Sequence, residues 1–371
     1  MEITPIKNLL IINLGSSSKK YSFYQGDALA YSAYFEAEGA GFHVNEGGGD
    51  EQIDTAGYQH ALGTVFARVE AVTGVLQKDI HAIGIRVVAP GNFFAAHKKI
   101  DDAYTEALRH ISKEVALHAD LVLTEIAMVR SIAPEIPLYA LSDSAFHHTM
   151  PLHARTYGLP IDLAKKYDLY RFGYHGLSAA SVVTEAGKLF VPLPSRIIIC
   201  HLGSGGSITA VKDGKSIDTS MGFSPLEGLV MSSRVGSIDA GAILTILEQE
   251  QMAPEALRTM LYKRSGLLGV SGISEDMRIL IAENEKGSAA AREAIDLFVY
   301  RVQLLIGAYT VALGGLDLLI FTGTMGERSE FIRGRVCAGL SSLGITPDSP
   351  KVAVIHIDEA AQMKHDLLTL L

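Results

Sequence analysis

Two stretches half a chain apart follow one plan, and that repeat constrains the fold more than any other feature. LLIINLGSSSKKYSFYQGDALAYS begins at Leu9, and RIIICHLGSGGSITAVKDGKSIDTS begins at Arg196. Each opens with an apolar strand, turns on Leu-Gly-Ser plus small residues, and runs into a second strand and a tight turn. The tight turns are Gln25-Gly26-Asp27 in one copy and Lys212-Asp213-Gly214 in the other. A strand with a Gly-Ser turn is common by itself. Two copies with matching downstream hairpins point to duplication, and so to two domains of related fold facing each other. A length of 371 residues agrees, being too long for one ordinary core.

Strand-like and helix-like segments alternate along the chain, which predicts α/β architecture. Short apolar runs bounded by turn or polar residues predict mostly buried strands at Leu9–Asn13, Ile83–Val88, Leu138–Leu141, Ile197–His201, Leu318–Thr322 and Val352–Ile357. A helix is expected over Asp101–Ala116, where Tyr104, Leu108, Ile111 and Val115 make one apolar stripe. A long helix is expected over Ala289–Leu313, stopped by Gly314 and Gly315. The glycine-rich Gly39–Gly49 reads as a surface hairpin or loop, and the domain crossing is expected around Ala145–Leu152.

Composition serves mainly to exclude. A net charge of −9 argues against nucleic acid or an anionic membrane as the main partner. The apolar stretch Ile306–Phe321 is broken by Gly307, Gly314, Gly315 and Asp317, so it lacks the roughly 20 apolar residues of a spanning helix. The first residues show no basic leader, and a cytoplasmic protein is the expectation. Cys200 and Cys337 lie far apart and form no metal-type pair, and Cys200 reads as a buried reduced thiol.

Gly-Ser turns after strands expose backbone N–H groups that can cradle phosphate. Gly15–Ser18, Gly203–Ser207 and Phe321–Glu327 (FTGTMGE) are candidates, and three such loops in one chain point to a nucleotide or polyphosphate. None fits the GxxxxGK[ST] pattern. Arg86 ends a buried strand and Arg234 lies in MSSRVGSID; either answers an anionic ligand or a structural salt bridge. Asp143 in SDSAFHHTMP is a candidate site carboxylate or a turn aspartate, and His175 in FGYHGLS reaches a cleft or makes a buried hydrogen bond. Two other classes stay open at this level. Ser16-Ser17-Ser18-Lys19 and Ser17-Ser18-Lys19-Lys20 satisfy the S-x-x-K of serine hydrolases, though no K-T-G follows. A non-catalytic nucleotide-binding protein would also carry such loops.

Taken together, IINLGSSSKK, IRVVAPG, SDSAFHHTMP, FGYHGLS, CHLGSGGS, DTSMGFSPLEGLVMSSRVGSID, SEDMR, FTGTMGER and HIDEA resemble, in order and nearly end to end, the acetate kinase family. The resemblance implies a two-domain α/β fold of the actin and hexokinase type, with duplicated ribonuclease H-like cores and a central cleft. It also implies Mg²⁺ dependence, a homodimer, and reversible phosphoryl transfer between ATP and acetate or a similar short carboxylic acid. Matching positions imply that Arg86 and Arg234 hold the carboxylate and the moving phosphoryl group, that Asp143 orients the substrate or one arginine, and that His175 donates to the transition state. Asn13 and Glu359 would place Mg²⁺, with Ser16, Ser18 and Lys20 around the same phosphate. His201, Gly203, Ser204, Gly205 and Gly206 would form the second phosphate loop. Asp276, Arg278 and the turn Gly323, Thr324, Met325, Gly326 would line the nucleoside side. Val88, Leu117, Tyr174 and Pro225 would wall the acyl pocket. The expected division is 1–147, with about 360–371 packing back on it, and 148–359 carrying the nucleotide side and the dimer interface.

The chain also departs from the family's usual residues. Ala89-Pro90-Gly91 stands for His-Gly-Gly, His118-Ala119-Asp120 for His-Asn-Pro, Ser204 for an asparagine, and Tyr174 for a phenylalanine, its hydroxyl needing a partner. Thr324-Met325-Gly326-Glu327-Arg328 stands for Gly-Ile-Gly-Glu-Asn. Thr324 adds bulk and Arg328 a cation where adenosine is expected, so pyrophosphate or another donor, or a different small acid, is the alternative.

Overall fold

The computed structural model describes residues 7–15, 18–38, 41–47, 49–112 and 116–371, apart from the side chains of 37–38, 112 and 116–118. The chain divides into two compact units, Met1–Ala145 with Asp358–Leu371, and Phe146–Ile357. Each crossing lies two residues before the expected one. Phe146 and His147 belong to the second unit because the His147 ring bonds Ser216 Oγ and the Tyr174 carbonyl there. Glu359, expected in the second domain, belongs to the first because Asn13 binds it.

The first unit holds one sheet of β1 (Asn8–Leu14), β2 (Ser18–Gln25), β3 (Ala28–Glu38), β4 (Gly41–Glu46), β5 (Gly49–Ile53), β6 (Ala82–Val87), β7 (Lys98–Lys99) and β8 (Leu138–Ser142), in the order β5-β4-β3-β2-β1-β6-β8-β7. The second holds β9 (Arg196–Leu202), β10 (Gly206–Lys212), β11 (Lys215–Thr219), β12 (Leu318–Thr322) and β13 (Val352–Val354), in the order β11-β10-β9-β12-β13. The duplication read from the sequence is visible in the pairing. β3-β2-β1 is antiparallel and β1-β6-β8 parallel. β11-β10-β9 and β9-β12-β13 repeat that pattern. Both central strands are apolar on both faces because helices cover both sides: Leu9–Ile12 and Ile197–Cys200 are buried throughout.

Asp101 caps a helix over Asp102–Ser112, its carboxylate accepting from the Tyr104 N–H at 2.8 Å. Val115, the last expected member of its stripe, falls outside the described residues. The long helix Ala289–Leu313 ends on left-handed Gly314 as expected. It is long and apolar enough to cross a membrane by length and composition, yet one face, from Ala291 to Leu313, is built into the second unit's core. The hairpin expected near Gly39–Gly49 is β4 with β5; Gly39, Ala40 and Gly48 fall outside the described residues. β13 is shorter than expected, because beyond Val354 the Ile355 carbonyl turns to accept the Thr322 hydroxyl at 2.6 Å. Both cysteines are buried and free.

Glycine at position 84 seats the C-terminal helix (Glu359–Leu370) on the first sheet. A Cβ there would lie 2.7 Å from Leu141 Cδ1 and 3.3 Å from Leu367 Cδ2, closer than carbon atoms pack.

Candidate active site

Each unit gathers polar side chains at the carboxyl ends of its parallel strands, where open α/β sheets present ligands. In the first unit Asn13 is the penultimate residue of β1, Arg86 the penultimate residue of β6, and Asp143 follows β8 directly. Arg86 donates Nε to Asp143 Oδ1 at 3.2 Å and Nη2 to Asp143 Oδ2 at 3.0 Å, a two-pronged pair. Its Nη1 donates to Asn13 Oδ1 at 3.2 Å and lies 3.6 Å from Glu359 Oε2. Asn13 Nδ2 donates to the same Glu359 oxygen at 2.7 Å, so both ends of the amide have defined roles. Burial opposes the charge on Arg86, but Asp143 and Glu359 outweigh it and hold its pKa above the ordinary arginine value. The Asp143 side chain is 1% exposed. A charge so buried is tolerable only beside its partner.

Lys20 stands directly across β2 from Asn13, sharing its face, and is exposed. Ser18 closes the preceding turn, its carbonyl accepting the Gly15 N–H at 2.8 Å. Ser16 lies outside the described residues. Glu359 opens the C-terminal helix, whose N-cap is Asp358.

In the second unit β9 ends His201-Leu202 and turns through Gly203, Ser204 and Gly205 into β10, which begins at Gly206. The Gly203 N–H bonds the Gly205 carbonyl at 2.9 Å, and the Ser204 carbonyl accepts the Ser232 N–H at 3.2 Å. His175 precedes the helix Gly176–Leu189 in a left-handed conformation, φ 58°. Its ring stacks on that of His201 with centroids 4.1 Å apart and 28° between planes. His175 Nδ1 meets Ser207 Oγ at 3.1 Å, and His201 Nδ1 meets Ser178 Oγ at 2.8 Å. A Cβ at Gly205 would lie 3.3 Å from the His175 ring and 3.8 Å from Arg234 Nη1. Glycine there lets imidazole, guanidinium and loop backbone crowd together.

The other expected residues divide between these clusters and elsewhere. Val88, just past β6, and Pro225 are buried. The Leu117 side chain lies outside the described residues. The Tyr174 hydroxyl, expected to need a partner, donates to the Phe223 carbonyl at 2.6 Å, and the Phe223 N–H donates to Tyr157 Oη at 2.8 Å. Asp276 caps the helix Met277–Glu285 and pairs with Arg278, Nη2 to Oδ2 at 2.5 Å; the arginine side chain is 90% exposed. The expected turn at Gly323–Gly326 is instead the start of a short helix, Gly323–Arg328. Its Gly323 N–H already donates to Glu327 Oε1 at 3.1 Å, and Arg333 Nη1 binds the Gly326 and Glu327 carbonyls at 3.0 and 2.8 Å. That loop therefore has its own internal partners, with Thr324 and Arg328 on its exposed side.

The Acetokinase family model matches residues 8–366. The chain belongs to the acetokinase family. It is similar to an acetate kinase of Acetivibrio thermocellus, 37% identical over 357 residues that cover 93% of this chain and 90% of that one. Among solved structures it resembles a propionate kinase from Francisella tularensis, TM-score 0.87 at 30% identity, covering 97% of this chain and 99% of that one. It also resembles the acetate kinase of Porphyromonas gingivalis, TM-score 0.84 at 28% identity, over 98% and 99% of the two chains. The actin and hexokinase type of fold, expected from the resemblance, is the fold of this family member.

Sequence reading missed several residues that hold the acetokinase clusters in place. Ser178 lies in the helix that His175 precedes but bonds His201, 23 positions away, a pairing with no local signal. His147 in AFHHTMP is fully buried, and because the Tyr174 carbonyl can only accept, its Nε2 carries the proton and Nδ1 takes the Ser216 hydroxyl. Lys19, one residue before Lys20, is buried and paired with Glu125 at 3.1 Å, which also accepts from the Tyr21 hydroxyl at 2.6 Å. That contact spans 106 positions and has no local signal.

Proposed function

We propose that the protein transfers the γ-phosphoryl group of ATP, reversibly, to a short-chain carboxylate such as acetate, giving an acyl phosphate and ADP. Family membership supplies the reaction class, and the Arg86–Asp143–Asn13–Glu359 group is the observation that carries the assignment of residues. In the forward direction a carboxylate oxygen forms a bond to the γ-phosphorus. The bond from that phosphorus to the β,γ-bridging oxygen breaks, and its electron pair leaves with ADP. No proton is taken up or released.

Both reactants are anions, so positioned positive charge is the main need. Arg86 supplies it, kept protonated by its carboxylate neighbours and aimed by Asp143. Arg234, beside the Gly205 loop, supplies a second cation for the carboxylate and the phosphoryl oxygens in flight. His175 donates from Nε2 to the phosphoryl group, with Nδ1 turned to Ser207. Lys20, Ser16 and Ser18 serve one phosphate-binding turn, and His201 with Gly203–Gly206 the other. Val88, Leu117, Tyr174 and Pro225 wall the acyl group. The Tyr174 hydroxyl is spent on the Phe223 carbonyl and its ring is buried. Asp276, Arg278 and Gly323–Gly326 line the nucleoside.

The donor set suits Mg²⁺. Glu359 offers carboxylate oxygens and Asn13 its Oδ1, which here accepts from Arg86 while Nδ2 donates to Glu359, and among the described residues no group of three or more His, Cys, Asp and Glu forms a closed protein cage. Mg²⁺ is held in that manner, by one or two carboxylates with substrate phosphates and waters. When bound it neutralises phosphate charge. The serine hydrolase reading is set aside because the chain belongs to the acetokinase family, and Lys19, one of its two S-x-x-K lysines, is committed to Glu125.

The protein is cytoplasmic and a homodimer in this reading. The helix Ala240–Gln249 supports the dimer: it is largely apolar yet has no buried residue, and Tyr300, Leu304 and Val311 leave a further apolar stripe exposed. Size-exclusion chromatography with light scattering tests it, and a monomer would overturn it. The function itself is tested by trapping acyl phosphate as hydroxamate with ATP, GTP and pyrophosphate against acetate, propionate and butyrate. Product with ATP is expected. Product with pyrophosphate alone would replace the donor, and product with none would remove the reaction.

A further inference from the structure

β7 ends its pairing with β8 at Lys98 opposite Ala140, two residues short of the end of β8. The His97 side chain takes over where the ladder stops. The Ser142 N–H donates to His97 Nδ1 at 3.0 Å, and His97 Nε2 lies 3.4 Å from Asp366 Oδ2. A backbone N–H can only donate, so Nδ1 is the acceptor and the ring hydrogen sits on Nε2, facing the carboxylate. Both side chains are largely sheltered, at 18% and 16% exposure. Asp366 Oδ1 accepts from Gln362 Nε2 at 2.9 Å.

Two site residues meet at this clasp. On one side the backbone around Asp143 is pinned at three successive N–H groups. Ser142 donates to His97, Asp143 to the Val87 carbonyl at 2.9 Å, and Ser144 to Ser142 Oγ at 3.1 Å. On the other, Glu359, Gln362 and Asp366 follow the i, i+3, i+7 spacing of one helix face, so holding Asp366 sets where Glu359 at the helix start falls. Glu359 is in turn bound by Asn13 and lies beside Arg86.

We infer that His97 and Asp366 are positioning residues that tie the Asp143 strand end to the C-terminal helix, setting Asp143 and Glu359 against Arg86 and Asn13. This rests on the phosphotransfer reading for its kinetic consequence, but the tautomer and the clasp stand without it. Outer partners of this kind typically contribute 10- to 100-fold in activity, because a site loosened by about an ångström no longer fits its transition state.

The test uses the full-length protein. In ¹⁵N-histidine spectra of the unmodified protein, the signal lost in His97→Ala is expected to show an unprotonated Nδ1 and a protonated Nε2; the opposite tautomer would overturn the clasp whether or not the protein is a kinase. In hydroxamate kinetics, His97→Ala and Asp366→Ala are each expected to lower kcat about 10- to 100-fold, with KM for the acid within about threefold. The double variant should be no worse than the poorer single one. Asp366→Asn keeps an acceptor for Nε2–H and should restore most of kcat, which separates positioning from loss of fold. Losses that multiply in the double variant, an Asn no better than Ala, or kcat unchanged in both single variants would each overturn the proposal.

Discussion

The two sheets share one topology and differ in what they place at the same point. Asn13 on β1 and His201 on β9 occupy equivalent positions in the repeated Leu-Gly turn. Across the antiparallel neighbour, Asn13 faces Lys20 and His201 faces Ser207. Across the parallel neighbour, Ile12 pairs with Ile85, which brings Asn13 beside Arg86, whereas His201 pairs with Thr322. One copy thus ends in charge and the other in imidazole, hydroxyl and glycine backbone. The difference teaches that duplication fixes where strand ends fall, while each copy's chemistry follows from a few substitutions there.

The comparison can be broken hardest at Arg86. Arg86→Ala should lower acyl phosphate formation by about 100- to 1000-fold. It should also cost about 3–5 kcal/mol in denaturant unfolding, because buried Asp143 loses its partner. Arg86→Lys should restore little, since a point charge cannot match both Asp143 oxygens. In the second sheet the sharpest change is Gly205→Ala, whose methyl would press on the His175 ring. A kcat loss of about 10- to 100-fold is expected in the same assay, with little change in thermal midpoint. Ser207→Ala, which removes the hydroxyl facing His175 Nδ1, should lower kcat about five- to tenfold, and Ser207→Thr should retain most of it. The smallest effect belongs to Thr322→Val. It occupies the Arg86 position of the second copy, where its hydroxyl bonds the Ile355 carbonyl at 2.6 Å and Glu327 Oε1 at 3.4 Å, so unfolding should cost about 1–2 kcal/mol while kcat stays within about twofold. A large kinetic loss there would mean the second copy also uses that position chemically.

The sequence carried the fold because its strongest signals were local. Apolar runs such as Leu318–Thr322 and the capped stripe of Ala289–Leu313 define their own elements, and the repeated Leu-Gly-Ser turn exposes the duplication. The candidate site was legible where a motif holds its residues together, as with Arg86 at a strand end and His175 before a helix. It was not legible where function depends on register between distant segments. Nothing near His97 announces Asp366, nor does Lys19 announce Glu125, because those pairs are set by how helices seat on the sheet. The helical form of the Gly323–Gly326 segment was hidden for a related reason. Glycines after a strand permit a phosphate loop, but Glu327 and Arg333 supply the hydrogen bonds that close it into a helix.

The central claim is that the charged end of the first sheet serves transfer of a phosphoryl group from ATP to a carboxylate. The most direct measurement is hydroxamate-trapped acyl phosphate from purified protein with ATP, Mg²⁺ and acetate, propionate or butyrate, run beside Arg86→Ala. ATP-dependent product that falls about 100-fold or more in the variant is the predicted result. No product with any of the three acids, or equal product from the variant, would contradict it.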